Sequence, residues 1–285
     1  MEKYSSWRDE GTGIPPFLPE RTVPSSNLIQ VIAKALQFAV VWVLSVISTP
    51  FIGFDGSYQW RMKSLYSITE DVQVDGVKKR LVSKEKHFPK PGCLYIVNAL
   101  CPFDALALKE LANNKNCNFI VPRDGSLYLI GFKDWYQFAI CGGLWEDGHE
   151  RLVKINDLET VCSGKVNYLF AEGTTSNGKS VLTFEISPKL LDEILEVCGL
   201  KVSCISLKLN SKITTPLKPK STLKYSLGCI SQGVRYKVRI SETVSASQTD
   251  VKKLRTILVG GDEYKLVGKK LDLKSKKKFS EVYYN

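Results

Sequence analysis

Histidine is nearly absent from this chain: His87 and His149 are the only two in 285 residues. The eight cysteines, Cys93, Cys101, Cys117, Cys141, Cys162, Cys198, Cys204 and Cys229, include no Cys-x-x-Cys pair. These scarcities argue against a zinc site and for reduced, partly buried thiols in a cytosol-facing domain. Acidic residues are also in deficit. Twenty-nine Asp and Glu face 40 Lys and Arg, a formal net charge of +11, which suits an anionic partner such as a phospholipid surface, coenzyme A or nucleic acid. The basic residues lack a recognition motif with interleaved stacking aromatics, so no nucleic acid is expected. There is no internal repeat. There is no cleavable secretory signal either, because Met1 to Arg21 is polar, contains prolines and carries Asp9, Glu10 and Glu20.

What is present is enough apolar residue, 44% of the chain, for one substantial core plus a membrane element. From Ala35 to Phe54 no residue is charged, and the run reaches the roughly 20 residues that span a bilayer core. Few soluble core helices stay uncharged for so long, so the segment reads as membrane-associated. Gln37, Ser45, Ser48 and Thr49 dilute it and Pro50 bends its far end. Whether it spans, re-enters or lies flat is left open, since the flanking charges are balanced. The chain thus divides into a polar segment (1–27), a membrane-associated segment (28–54) and a domain with a Lys-rich tail (55–285).

The domain alternates strand and helix patterns. Val72 to Gly76 reads as an edge strand entering a turn, Leu94 to Val97 as a buried strand, and Pro102 as the first position of a helix with Asp104 in its first turn. Strand Asn118 to Val121, a mixed segment Leu127 to Ile140, strand Val166 to Phe170, helix Pro188 to Val197 and strand Val202 to Leu207 follow. Ser211 to Lys224 reads as an exposed connection, Val234 to Ile240 as a strand, and the end as a Lys-rich helix. This pattern predicts an α/β fold, a mixed central sheet flanked by helices.

Two segments carry chemistry. Phe170-Ala-Glu-Gly-Thr-Thr-Ser-Asn-Gly-Lys179 leaves a strand through Glu172, Gly173 and Thr174. Such a turn can point backbone N–H groups and a hydroxyl at a phosphate, although alone it reads as an ordinary polar turn. Asn98-Ala-Leu-Cys-Pro-Phe-Asp104 leaves another strand. With Gly142-Gly143, the opening Met1-Glu-Lys-Tyr4, Trp7-Arg-Asp9 and Gly11-Thr-Gly-Ile14, and the tail Gly260-Gly-Asp262, Tyr264-Lys-Leu-Val267 and Leu271-Asp272, the ordered set resembles the PlsC-type lysophospholipid acyltransferases. Within that superfamily it is most similar to the fungal enzymes of endoplasmic reticulum and lipid droplets that use oleoyl-CoA and lysophosphatidic acid.

The resemblance implies acyl transfer from a long-chain acyl-CoA to lysophosphatidic acid, with acyl-CoA as co-substrate, no other cofactor and no metal. It implies a cytosol-facing domain on an endoplasmic reticulum or droplet surface. In the family a histidine five residues before the aspartate that Asp104 matches takes the acceptor's proton. Here Ala99 stands at that place, and Thr175 stands where a basic residue usually follows Glu-Gly-Thr. A general base is worth about 10²- to 10⁴-fold within total accelerations of roughly 10⁶-fold or more, so slow transfer without it is chemically reasonable. The candidate replacements are Asp104 through water, His149 or His87, or Cys101 as nucleophile. Asn98, Glu172, Gly173, Thr174 and Lys179 are the candidate substrate contacts, with Arg151 as a further cation. The alternative is a catalytically inactive relative that binds lipid or partners. The tail lysines Lys265, Lys269, Lys270, Lys274, Lys276, Lys277 and Lys278 read as a solvated face that also favours an anionic leaflet, at about 1 kcal/mol per lysine.

Overall fold

A computed structural model describes residues 4–20, 24–113, 115–144, 152–198, 201–245, 249–260, 265–268 and 270–284. Its strands are β1 (Thr69–Val74), β2 (Leu94–Val97), β3 (Cys117–Arg123), β4 (Ser126–Ile130), β5 (Leu152–Lys154), β6 (Val166–Leu169), β7 (Ser180–Val181), β8 (Lys201–Lys208), β9 (Arg235–Ile240), β10 (Val244–Ser245) and β11 (Lys265–Leu266). Its helices are α1 (Leu28–Tyr66), α2 (Lys84–His87), α3 (Asp104–Leu111), α4 (Phe132–Ile140), α5 (Leu158–Cys162), α6 (Pro188–Cys198), α7 (Thr222–Gln232), α8 (Val251–Val259) and α9 (Leu273–Tyr284).

Among the described residues the main sheet runs β1-β9-β8-β2-β6-β3-β4-β5, with β10 added beside β8. Its centre, β8-β2-β6-β3, is parallel. The strands next to it, β4 and β9, are antiparallel to it, which makes the sheet mixed, as expected. Central strands must bury both faces, and β2 and β6 are buried throughout, which explains their unbroken apolar sequences. The pleat sends Tyr95, Val97 and Tyr168 into one core with α3, α4 and α7 and Leu94, Ile96 and Leu169 into another with α6 and α8.

Three sequence expectations are corrected. Pro102 lies in the turn before α3 rather than at its first position, because the N–H groups of Leu100 and Cys101 bend back onto the Asp104 carboxylate and delay the helix. The stretch after Ser211 is not an exposed connection: residues 213–217 are buried, Thr215 N donates to Leu100 O at 2.8 Å, and α7 begins at Thr222 under a Ser221 cap. The cysteines are not all thiols, since among the described residues six are free while Cys162 is disulfide-bonded.

The apolar segment forms a hairpin. Gly53 takes φ 72° and ψ 169° inside α1, just after Pro50, a backbone conformation that glycine adopts readily. Beyond it the chain turns back: Ser57 Oγ donates to Ser45 O at 3.1 Å, and Lys34 Nζ reaches Ser67 Oγ. The second arm is fastened to the domain by Lys63–Glu110 at 2.6 Å and Asp55–Lys133 at 2.9 Å, and by Tyr66 against Phe103 with ring centroids 4.4 Å apart. The first arm turns outward Ile29, Ile32, Leu36, Val40, Val43, Ile47 and Phe51, which are 51–87% exposed. These residues recur at three- and four-residue intervals, one continuous helical stripe. A core helix would bury that stripe. Its exposure on a helix long and apolar enough to cross a membrane, Leu28–Phe51, marks a membrane-associated element.

The polar N-terminal segment is part of the fold. Phe17 is fully buried, Trp7 packs on Phe279 of α9 with centroids 5.4 Å apart, and Asp9 Oδ1 accepts from Gly268 N at 2.7 Å.

Asn98, expected at the substrate, instead clamps two strands. Its amide donates to Leu207 O at 2.9 Å and its carbonyl accepts from Leu207 N at 2.7 Å, and the side chain is buried. Asn98→Ala strands both backbone groups and is expected to cost about 2 to 4 kcal/mol in chemical denaturation. An unchanged denaturation midpoint would show that the clamp contributes nothing to stability.

Candidate active site

Parallel neighbours end at the same edge of a sheet, so the loops leaving β2 and β6 meet. Ser176 N donates to Ala99 O at 2.9 Å, and Ala99 N approaches Glu172 Oε2 at 3.4 Å. On the other side of Ala99, Asp104 Oδ2 accepts from Leu100 N at 2.6 Å and Cys101 N at 2.9 Å. Its Oδ1 accepts from the Tyr236 hydroxyl at 2.8 Å and the Cys101 thiol at 3.3 Å. Two carboxylates thus bracket residue 99.

Both are buried, Asp104 at 0% and Glu172 at 1% exposure. Burial pushes the Asp104 carboxyl up to about 6, against the pull of the Cys101 and Leu100 N–H groups and the Tyr236 hydroxyl. Burial likewise pushes Glu172 up to about 7, opposed by the N–H groups of Leu182 and Ala99 and by the charges of Arg255 and Lys276.

The Glu172–Thr175 turn is sealed from three sides. Gly142 and Gly143, at φ 76° and 67°, end α4 with no room for a side chain: a Cβ on Gly142 would lie 2.9 Å from Pro216 O, and one on Gly143 2.8 Å from Thr175 N. Their carbonyls accept the Thr174 hydroxyl at 3.1 and 3.3 Å. From α9, the fully buried Lys276 donates to Gly142 O, to Thr175 O and to Thr174 Oγ1, the last at 2.8 Å. Burial drives its pKa down, and the nearby Glu172 opposes that shift. From the N-terminal segment, Pro15 O accepts the Asn177 amide at 2.8 Å and Pro16 O accepts Asn177 N at 3.0 Å.

Lys276 is the residue that sequence reasoning placed wrongly, on a solvated face. Its signal was its spacing: three residues from Leu273 and three from Phe279, it shares their buried face. The other expectations sort as follows. Asp104, Glu172, Gly173 and Thr174 converge. The Thr174 hydroxyl is already engaged by Gly142, Gly143 and Lys276, so it is not free to hold a phosphate in this arrangement. Cys101 is fully buried, and burial, then the adjacent Asp104 charge, push its thiol well above the ordinary value, which disfavours the thiolate that a nucleophile needs. Lys179 lies outside, paired with Glu20 at 3.0 Å. His87 caps α2, its Nδ1 taking Ser83 N at 3.0 Å, on the connection into the start of β2 and so at the opposite end of the sheet. His149 and Arg151 lie outside the described residues.

Neither of two surface clefts reaches the carboxylates. A cleft of about 1570 Å³ lies at the starts of β3 and β6 beside Trp60, Lys109 and Lys165. A smaller one, about 580 Å³, lies at the base of the α1 hairpin.

No family model matches the chain. Against curated proteins it is 34% identical over 303 residues to Lysophosphatidic acid:oleoyl-CoA acyltransferase 1 of Saccharomyces cerevisiae, covering 99% of this chain and 97% of that protein. The chain belongs to the lysophosphatidic acid:oleoyl-CoA acyltransferase family. A crystal structure of the 1-acyl-sn-glycerophosphate (LPA) acyltransferase PlsC from Thermotoga maritima is similar at TM-score 0.43 and 16% identity, over 82% of this chain and 97% of that one. That likeness is too distant to carry residue roles.

In this acyltransferase-family chain the raised carboxyls make stability depend on pH. The folded state holds protons on Asp104 and Glu172 that the unfolded chain releases, so their contribution is full below the ordinary carboxylate pKa. It is lost as pH rises through about 6 for Asp104 and about 7 for Glu172. Urea denaturation of the parent between pH 5 and 7.5 is expected to show falling stability, with Glu172 contributing on the order of 3 kcal/mol. Glu172→Gln is expected to flatten the slope. Parallel slopes in the two proteins would mean that Glu172 titrates like an exposed glutamate.

Proposed function

We propose that this protein transfers the acyl group of a long-chain acyl-CoA, oleoyl-CoA foremost, to the free hydroxyl of lysophosphatidic acid, giving phosphatidic acid and CoA. Near full-length similarity to a protein of that named activity supports the reading. The observation that carries it is the pair of buried carboxylates on either side of residue 99. The acceptor oxygen attacks the thioester carbonyl, the new C–O bond forms, the C–S bond breaks, and the hydroxyl proton passes to the departing CoA sulfur. Ala99 offers no base for that transfer. Glu172, with a pKa near neutrality and one oxygen toward residue 99, is the group suited to relay the proton. Asp104 holds the loop of residues 100–101 in place.

Because the carboxylates are sealed, an acceptor reaches them when residues 15–18 and α9 part from the Glu172–Asn177 loop. The exposed stripe of α1 holds the domain at a membrane, and the endoplasmic reticulum and lipid droplets, with the site toward cytosolic acyl-CoA, are the surfaces proposed.

A second reading, a lipid-binding relative without turnover, is favoured by Ala99 and by an Asp104 whose two oxygens already have four donors. Purified protein supplied with lysophosphatidic acid and labelled oleoyl-CoA separates the two. The parent is expected to form phosphatidic acid slowly, and Glu172→Gln and Asp104→Asn to lose about tenfold or more. Product that forms only in Ala99→His would establish the second reading.

A further inference from the structure

We propose that the smaller cleft, at the base of the α1 hairpin, is a second phosphate site that holds the headgroup of a membrane lipid between Lys34 and Arg235. The proposal concerns binding and does not depend on turnover at the buried carboxylates.

The cleft, about 580 Å³, is bounded by the first arm of α1, the α1–β1 turn, the end of α7 and the start of β9. Its charged lining residues are Lys34 and Arg235; the others include Ser67, Thr69, Gln30 and Asn210, and no Asp or Glu is among them. Several other cations on this surface are paired with carboxylates, as in Lys63–Glu110, Lys133–Asp55, Lys179–Glu20 and Arg239–Asp75. Lys34 donates only to neutral groups, Gln37 Oε1 at 3.3 Å and the Ser67 hydroxyl. Arg235 has no carboxylate partner among the described residues. Two cations without a counter-charge, ringed by hydroxyls and amides, match a phosphate dianion.

Lys34 is also held in place. Ser67 ends α1 in the left-handed conformation, φ 46°, and its hydroxyl fixes the Lys34 ammonium. Ser231 of α7 accepts Asn27 N at 3.0 Å and donates to Gln30 Oε1 at 2.8 Å, anchoring the same arm.

Position selects a lipid over free phosphate. Lys34 shares the first arm with the exposed Ile29, Ile32 and Leu36, so a lipid whose chains lie against the stripe brings its headgroup to the cleft. The cleft also lies at the active-site end of the sheet: Tyr236, the residue after Arg235, donates its hydroxyl to Asp104.

The test is co-sedimentation of the full chain with phosphatidylcholine vesicles containing either phosphatidic acid or phosphatidylserine at equal surface charge. The parent is expected to bind the phosphatidic acid vesicles about tenfold more tightly, as two charge-assisted contacts to a phosphomonoester allow. Lys34→Gln/Arg235→Gln is expected to lose that preference while keeping its binding to phosphatidylcholine alone. Arg80→Gln/Lys86→Gln, which removes two exposed charges at the far end of the sheet, is expected to keep the preference. So is the charge-preserving Lys34→Arg/Arg235→Lys, which guards against a folding defect. A preference that survives in the Gln double variant, or is missing in the parent, overturns the proposal. Inorganic phosphate that abolishes the preference at submillimolar concentration overturns the lipid assignment in favour of a soluble phosphate. Loss of turnover with the preference intact would count against acyl transfer alone.

Discussion

Everything at the active-site end depends on one short piece of backbone, the peptide groups of Ala99 to Cys101, being shared between two loops. Ala99 gives its carbonyl to Ser176 and its N–H toward Glu172, while the next two N–H groups go to Asp104. Parallel pairing of β2 with β6 makes this sharing possible, because it ends both strands side by side. The same bonds that define the site also bury two carboxylates away from the protein surface. The cost of that placement is expressed as raised pKa values rather than as ion pairs.

The charge that would ordinarily compensate such a region arrives from far along the chain. Lys276 enters from α9, almost at the other end of the sequence from the N-terminal strap that covers the same loop. Its ammonium is surrounded by carbonyl and hydroxyl oxygens, and its nearest opposite charge of consequence is Glu172. The Glu172–Asn177 loop is therefore held by the N-terminal segment and by α9 as well as by its own strand.

Much of this was legible in the residues. The central strands announced themselves as unbroken apolar runs because both of their faces are covered, and the two motif loops followed from what ends those strands. The hairpin was not legible as such: a single glycine in an uncharged stretch does not say whether a helix bends or reverses, and the reversal is fixed by hydrogen bonds between Ser45, Thr49 and Ser57 that join distant turns. Asn98 looked like a substrate contact because it sits beside the motif, yet its amide matches the spacing of a neighbouring strand's peptide group. Lys276 was hidden by its neighbours, since a lysine among lysines reads as solvated unless the helical face it shares with Leu273 and Phe279 is followed. The first turns of α7 were masked by a Pro-, Lys- and Ser-rich lead-in that composition assigns to solvent.

The reversal at Gly53 has a mechanical side. The second arm of α1 is tied down to the domain by two ion pairs and an aromatic contact, so the apolar first arm that folds back on it cannot turn independently of the sheet. The surface that meets lipid and the end of the sheet that carries the two carboxylates therefore keep one orientation to each other.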